Sequence, residues 1–311
     1  MKKYAVGVDV GGTTVKMGMF TVEGELLCKW EIPTRTEDGG KYILSDITKS
    51  LEEKRISQGI STEEICGIGI GVPGPVNRDG NVEVCVNLGW GFVEIEKELE
   101  ALTGYPVKAG NDANVAAMGE VWQGAAKGAR DAVMVTLGTG VGGGIILGGR
   151  ILAGVKGFAG EIGHFNVNPH ESESCNCGNK GCLEQYASAT GIVRMTKKYL
   201  KEHDVESSLR KYENITAKDI FDEAKNGDET AMYNVKQLCK ILASVLGKIA
   251  LTVDPEVYII GGGVSKAGTI LTDGIAEEFP NHVFGAAKEN RFVLAELGND
   301  AGIYGAAKLV V

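Results

Sequence analysis

Proline is scarce, with 7 in 311 residues, and aromatic residues make up only 6%. No apolar run approaches the ~20 residues that span a bilayer. Met1-Lys2-Lys3 leads straight into a strand pattern, without the apolar core of a signal peptide. These absences point to a cytoplasmic protein with no membrane partner. Basic charge is in deficit, 32 Lys and Arg against 41 Asp and Glu for a net charge of -9, so a polyanion would meet a like-signed field. That argues against nucleic acid as a partner. No Walker A string occurs. The 7 cysteines are odd in number, and Cys28, Cys66, Cys85 and Cys239 are scattered, which is no disulfide framework.

What is present is a globular composition, 43% hydrophobic and 23% charged, with length enough for two lobes. Glycine is the excess, 45 residues, about twice the usual ~7% share. No triplet period accompanies it, so the glycines are expected to supply positive φ and close approach of a ligand to the main chain.

Tyr4 to Val10 and Lys16 to Phe20 read as strands around a Gly turn, with a third strand after Glu23-Gly24-Glu25. Residues 41–58 carry Ile43, Leu44, Ile47 and Leu51 at helical spacing. Ile65 to Val72 reads as a buried strand ending in GVPGP, Val107 to Ala109 as a short strand, and Asn111 to Trp122 as a helix with Asp112 near its start. Ala132 to Leu137, the run GTGVGGG, Ile145 to Leu147, a Gly-Gly turn and Arg150 to Leu152 repeat the order of the N-terminus. That is an internal duplication giving two lobes. Helices are expected over 192–203, 217–226 and 229–253, a strand over 257–260 running into GGGV, and a last helix over 302–310 returning to the first lobe. The expected division is 1–118, completed by 300–311, and 119–299.

GTGVGGG contains GxGxxG at Gly138, Gly140 and Gly143, but a dinucleotide site needs a helix next. Ile145-Ile146-Leu147 and a Gly-Gly turn follow instead, which rejects a nicotinamide site. The two Gly loops, DVGGTT and LGTGVGGG, suit phosphate oxygens held by backbone N–H groups and Thr hydroxyls; the plainer reading is two hairpins. Asp9 is either a hydrogen-bond acceptor for its loop or a Mg²⁺ partner, and Lys16 reads as a solvated-face residue. Asp112 is a candidate base or, equally, a helix cap. Cys175, Cys177 and Cys182 with His164 form a tetrahedral donor set of the kind structural zinc prefers, with His170 as the alternative fourth ligand.

Together DVGGTT, LGTGVGGGIILGGRILAGVKGFAGEIGH and CNCGNKGCLE resemble the ROK family of sugar kinases, from the first strand to the last helix. Val86-Asn87-Leu88-Gly89-Trp90 and LGNDAGIYGAA are most similar to its bacterial glucokinase branch. The resemblance implies an α/β, duplicated actin-like ATPase (ribonuclease H-like) fold, two lobes with a central cleft and a zinc-binding loop. It implies ATP-dependent phosphorylation of glucose or a related hexose at the 6-hydroxyl, with ATP, Mg²⁺ and structural Zn²⁺, in a homodimer or homotetramer. Asp112 would be the general base. Asn87, Asn111, Asp112, Glu161, His164 and Glu184 would bind the sugar. Asp9, Gly11, Gly12, Thr13, Thr14, Gly138, Thr139, Gly140 and Gly142 would hold the phosphates, and Gly261, Gly262 and Gly263 would border the adenosine. His164, Cys175, Cys177 and Cys182 would hold the zinc. A kinase for N-acetylmannosamine, N-acetylglucosamine or allose, and a sugar sensor without turnover, are the rival readings.

Overall fold

The structure, a computed structural model, describes residues 2–311. Its first elements are β1 Tyr4–Val10, β2 Thr14–Thr21, β3 Leu26–Pro33, α1 Glu37–Gly40, α2 Ile43–Ser57, β4 Ile65–Val72, α3 Ile95–Thr103, β5 Val107–Asn111 and α4 Asp112–Gln123. Then come β6 Ala132–Leu137, β7 Val141–Leu147, β8 Arg150–Ile151, α5 Glu184–Ala187, α6 Ala189–Glu202, α7 Ala217–Lys225 and α8 Glu229–Val253. The chain ends with β9 Val257–Gly261, α9 Thr269–Glu278, β10 Arg291–Leu294 and α10 Ala301–Lys308. Among the described residues, no helix is long and apolar enough to cross a membrane.

Two five-stranded sheets form, ordered β3-β2-β1-β4-β5 and β10-β9-β6-β7-β8. Read from its other edge the second sheet is β8-β7-β6-β9-β10, so both sheets place their third, second, first, fourth and fifth strands alike. The duplication read from the two strand, Gly turn, strand passages is therefore present in the topology. The chain divides into two units, one comprising everything up to Arg130 with Gly144–Gly160 and Glu296–Val311, the other Asp131–Gly143 and Glu161–Ala295.

In the first unit β1 and β4 are almost wholly buried, as expected of strands paired on both sides and covered on both faces. The edge strand β3 instead alternates half-buried and exposed residues. Alternation along β1 separates two environments. Val6, Val8 and Val10 join Ile43, Ile47 and Leu51 of α2 in the main core, whereas Ala5 packs with Phe20, Ile303 and Ala307. Gly7 and Asp9 share the Ala5 face, beneath α10. A Cβ on Gly7 would lie 1.9 Å from the Ile303 carbonyl oxygen, and one on Gly69 of β4 would lie 1.7 Å from that of Ala306. On the far side of α10, a Cβ on Gly305 would lie 1.7 Å from the Val115 oxygen of α4.

The glycine excess therefore has a use beyond turns and ligand approach. It lets a helix lie directly on a sheet and on a second helix, backbone against backbone. This adds to the sequence expectation, which gave the glycines positive φ and close approach of a ligand.

In the second unit β9 is buried throughout and pairs in parallel with β6 and β10. The long helix α8 buries Leu238, Leu242, Val245, Leu246 and Ile249, and the Tyr258 hydroxyl donates to the Leu246 carbonyl at 2.8 Å. Ser188, Thr216 and Asp228 cap α6, α7 and α8. The Ser188 cap starts α6 at Ala189, before the Ile192 at which periodicity placed it. Five elements, α1, α3, α5, α9 and β10, lie outside the sequence expectations.

Gly69→Ala is expected to destabilise the protein by about 3 kcal/mol or more, since a rigid carbonyl cannot yield to the new methyl. Gly91→Ala, at a site with nothing within 4 Å of the added Cβ, is the matched control and should be nearly neutral. Urea unfolding of the two variants checks this.

Candidate functional site

In the first unit, polar groups collect where the parallel strands β1, β4 and β5 end. Asp9 pairs in register with Gly71 of β4 and with Lys16 of β2, and Val72 pairs with Asn111 at the end of β5. The turn after β1 is closed by the Gly11 N–H donating to Thr14 O at 3.0 Å, and the Thr34 N–H donates to Thr13 O at 2.9 Å. The Thr34 hydroxyl donates to Gly11 O at 2.7 Å. Gly11, Gly12 and Thr13 thus form the turn, and Thr14 already belongs to β2. A Cβ on Gly12 would lie 3.6 Å from Asn87 O, so this turn borders the Asn87 segment.

Asn111, not Asp112, caps α4. Its Oδ1 accepts from the Ala113 and Asn114 N–H groups at 3.0 and 3.2 Å, and its Nδ2 donates to Gly74 O at 3.2 Å. The cap reading attached to Asp112 therefore moves one residue back. Asn111 ties the GVPGP turn to the start of the helix, and Asp112, first residue of α4, is left facing a pocket of about 240 Å³ lined by Pro73, Gly74, Val84, Cys85, Val86 and Asn87. Asp112 keeps contact with solvent. Even so, the protein crowding its carboxyl raises its pKa, against the pull of the Ala113 amide and of Asn111.

Asp9 is pushed up to about 6, first by burial and then by the negative charge of Asp112, with Lys16 acting in the opposite sense. Lys16 is half-buried, not on a solvated face, and its ammonium donates to Asn299 O at 3.2 Å. The β1–β2 hairpin register was the signal that could have placed it beside Asp9. Cys85, whose thiol donates to Pro73 O, lines the pocket without any sequence signal.

The second unit carries the other residues. Its Gly turn is short, with the Gly138 N–H donating to Gly140 O at 2.9 Å, and β7 begins at Val141. Gly142 therefore lies in a strand, not in the loop where the sequence placed it. The strand continues to Leu147, which removes the helix a nicotinamide site requires. The Ala189 N–H donates to Gly138 O at 2.8 Å and the Thr190 hydroxyl to Thr139 O at 3.0 Å, so the start of α6 fixes the turn. Glu184 also holds it: its Oε2 accepts from the Val141 N–H at 3.1 Å, and a Cβ on Gly140 would lie 2.1 Å from that oxygen. Ala189 and Gly263 share the wall of a cavity of about 250 Å³ with Ala217, Phe221, Val264 and Ala267. Gly261 ends β9, and Gly262 leads from it to Gly263 in that wall.

One ligand atom from each of His164, Cys175, Cys177 and Cys182 lies within 4.8 Å of the others. The Cys177 and Cys182 sulfurs are 3.6 Å apart, near the roughly 3.8 Å edge of a tetrahedron of thiolates at zinc–sulfur distance. The donor set fits a zinc ion. His170 is not in the set; its backbone N–H donates to Asn168 Oδ1 at 3.0 Å. Glu161 Oε2 lies 3.9 Å from His164 Nε2, and Glu184 Oε1 3.6 Å from the Cys175 sulfur. Glu161, His164 and Glu184 are thus gathered around one loop, while in the first unit Asn87 and Asp112 line the pocket and Asn111 bonds its Gly74 edge.

The raised Asp9 has a testable sign. With a folded pKa of about 6 against 3.8, folding is penalised as pH rises from 4 to 6, and the penalty levels off above that at about 3 kcal/mol. Asp9→Asn removes it. In the ligand-free, metal-free protein the variant should be more stable than the parent at pH 7.5, with the gap closing by pH 4, as read by denaturant unfolding at both values.

The pattern of the ROK family matches residues 5–311. The chain is 43% identical over 313 residues to a glucokinase of Halalkalibacterium halodurans, covering 99% of this chain and 95% of that one. A ROK hexokinase from Thermus thermophilus matches with a TM-score of 0.81 at 32% identity, over 98% of this chain and 97% of that chain. A ROK family glucokinase from Streptomyces griseus, solved in complex with glucose and AMPPNP, matches with a TM-score of 0.75 at 32% identity, over 98% of each chain. The duplicated strand order and these neighbours give the actin-like ATPase fold. With its pattern matched from the first strand to the last residue, the chain belongs to the ROK family.

Proposed function

We propose that this protein is a glucokinase, transferring the γ-phosphoryl group of ATP to the 6-hydroxyl of glucose. The observation that carries the reading is Asp112: a carboxylate held at the first turn of α4 by the Asn111 cap, open to a polar pocket, and with a pKa raised by its surroundings. The glucokinases among the relatives support the choice of sugar.

Phosphoryl transfer asks little covalent chemistry of the protein, so positioning and charge neutralisation dominate. Asp112 accepts the proton of the attacking hydroxyl, and its raised pKa brings it closer to the working pH, which makes a stronger base. In the first unit Asn87 and Asn111 stand near Asp112 as partners for sugar hydroxyls; in the second unit, taken by itself, Glu161, His164 and Glu184 are groups of the same kind. In each unit by itself the Gly turn suits phosphate oxygens: the Gly12 and Thr13 N–H groups with the Thr13 and Thr14 hydroxyls in the first, the Thr139 and Gly140 N–H groups with the Thr139 hydroxyl in the second. The cavity beside Gly263 receives the base. Asp9, a crowded carboxylate with a second one nearby, suits a divalent cation; bound Mg²⁺ neutralises phosphate charge. Zinc on His164 and the three cysteines is structural, a closed four-ligand site that orders the loop carrying Glu161 and Glu184.

Asp112→Asn should lower kcat by roughly 10² to 10⁴ while glucose binding and thermal stability stay close to the parent. Unchanged turnover would remove Asp112 from the role. A coupled ADP-release assay over hexoses and N-acetylhexosamines tests the sugar, and preference for an N-acetylhexosamine would overturn glucose. Cys177 is exposed, so Cys177→Ser removes little packing; the variant should nonetheless lose zinc by elemental analysis and melt earlier. Equal zinc content would refute the site.

A further inference from the structure

We propose that the cavity beside Gly263 takes purine nucleoside triphosphates with little regard to the substituents of the base, so that GTP and ITP serve as phosphoryl donors beside ATP. The inference rests on the reading of that cavity as the base site and names the donors it admits.

The walls are Ala189, Ala217, Phe221, Gly263, Val264 and Ala267, with Phe221 and Val264 only 2% and 4% exposed. The polar side chains of the lining are Lys218, Asp222 and Lys266. All three stand at the solvent side: Lys218 and Asp222 are 82% and 43% exposed and paired with each other across one helical turn, and Lys266 is exposed. The buried part of the slot thus offers apolar contact to a purine ring, which adenine, guanine and hypoxanthine share. Their differences lie at the ring edge, where an amine replaces an oxo group. A site built from buried hydrogen-bonding groups rejects such a change by roughly 10⁴ to 10⁵, whereas apolar walls discriminate by only about 10- to 200-fold. Here the edge meets a solvated ammonium and a solvated carboxylate. The first donates to the 6-oxo group of guanine or hypoxanthine, and the second accepts from the amine of adenine or guanine. Because these chains are long and wet, neither edge leaves a buried partner unpaired. The Ala189 N–H holds Gly138 O at 2.8 Å, so the slot is joined to the turn that grips phosphate whichever base enters.

The test measures kcat/KM for ATP, GTP and ITP at saturating glucose, and displacement of mant-ADP by each nucleotide without sugar. Values for GTP and ITP within about a hundredfold of ATP are expected, and a larger penalty for either overturns the inference. Phe221→Leu, which keeps an apolar wall, should weaken all three in common proportion; a loss confined to one nucleotide would also overturn it. If no nucleotide supports glucose phosphorylation, the glucokinase reading fails. The displacement series still decides base tolerance in that case.

Discussion

Main-chain contact between α10 and the strands beneath it governs the first unit. Glycine at positions 7, 69 and 305 brings carbonyl oxygens to where a methyl would otherwise sit, and a helix seated that deeply has almost no freedom to slide. Because β1 alternates, the same face that carries Gly7 carries Asp9. A Cβ on Gly302 would lie 2.6 Å from the Asp9 carboxyl carbon. The packing that holds the last helix therefore also crowds the acidic group, and one steric constraint sets both stability and electrostatics.

That crowding gives the polar edge of the sheet its character. Asp112 makes Asp9 harder to ionise, while Lys16 relieves part of it. Such an arrangement is unfavourable to the empty protein and favourable to one that binds a cation. Sites of this kind commonly hold strain that the surrounding fold must offset. Asn111 keeps the geometry in place by satisfying the first amides of α4 and the Gly74 carbonyl together.

The second unit solves a different problem, that of ordering irregular chain. The segment from Glu161 to Thr190 contains a tight cysteine turn, in which the Cys175 N–H donates to Asn179 O at 2.7 Å, and little regular structure before α5. Arg194 of α6 pairs with Glu171 and Glu173 at 2.8 and 3.1 Å, and Glu184 reaches the Gly turn. The cluster of His164 and three cysteines, a carboxylate aimed at the backbone and the start of α6 thus follow one another in sequence.

Much of the architecture was readable because it rests on local signals. Runs such as Ile65–Val72 and Ala132–Leu137 match the observed strands, periodic apolar residues match α2, α7 and α8, and the repeated strand, Gly turn, strand passage appears as the same strand order in both sheets. The spacing of three cysteines likewise follows from the chain itself. Other features depended on the backbone geometry of the folded chain. Which of two histidines joins the cysteines and that Asn111 rather than Asp112 is the cap turn on local loop geometry, and that Lys16 lies beside Asp9 turns on hairpin register, whereas the reach of Lys16 to Asn299 and the meeting of Phe221 with Gly263 around a cavity are outcomes of long-range packing. Composition and periodicity, acting over a few residues, determined the elements and the chemical types at their ends. Strand register, loop geometry and helix seating, which for Lys16 and Asn299 act between residues 283 positions apart, decided which of those groups meet.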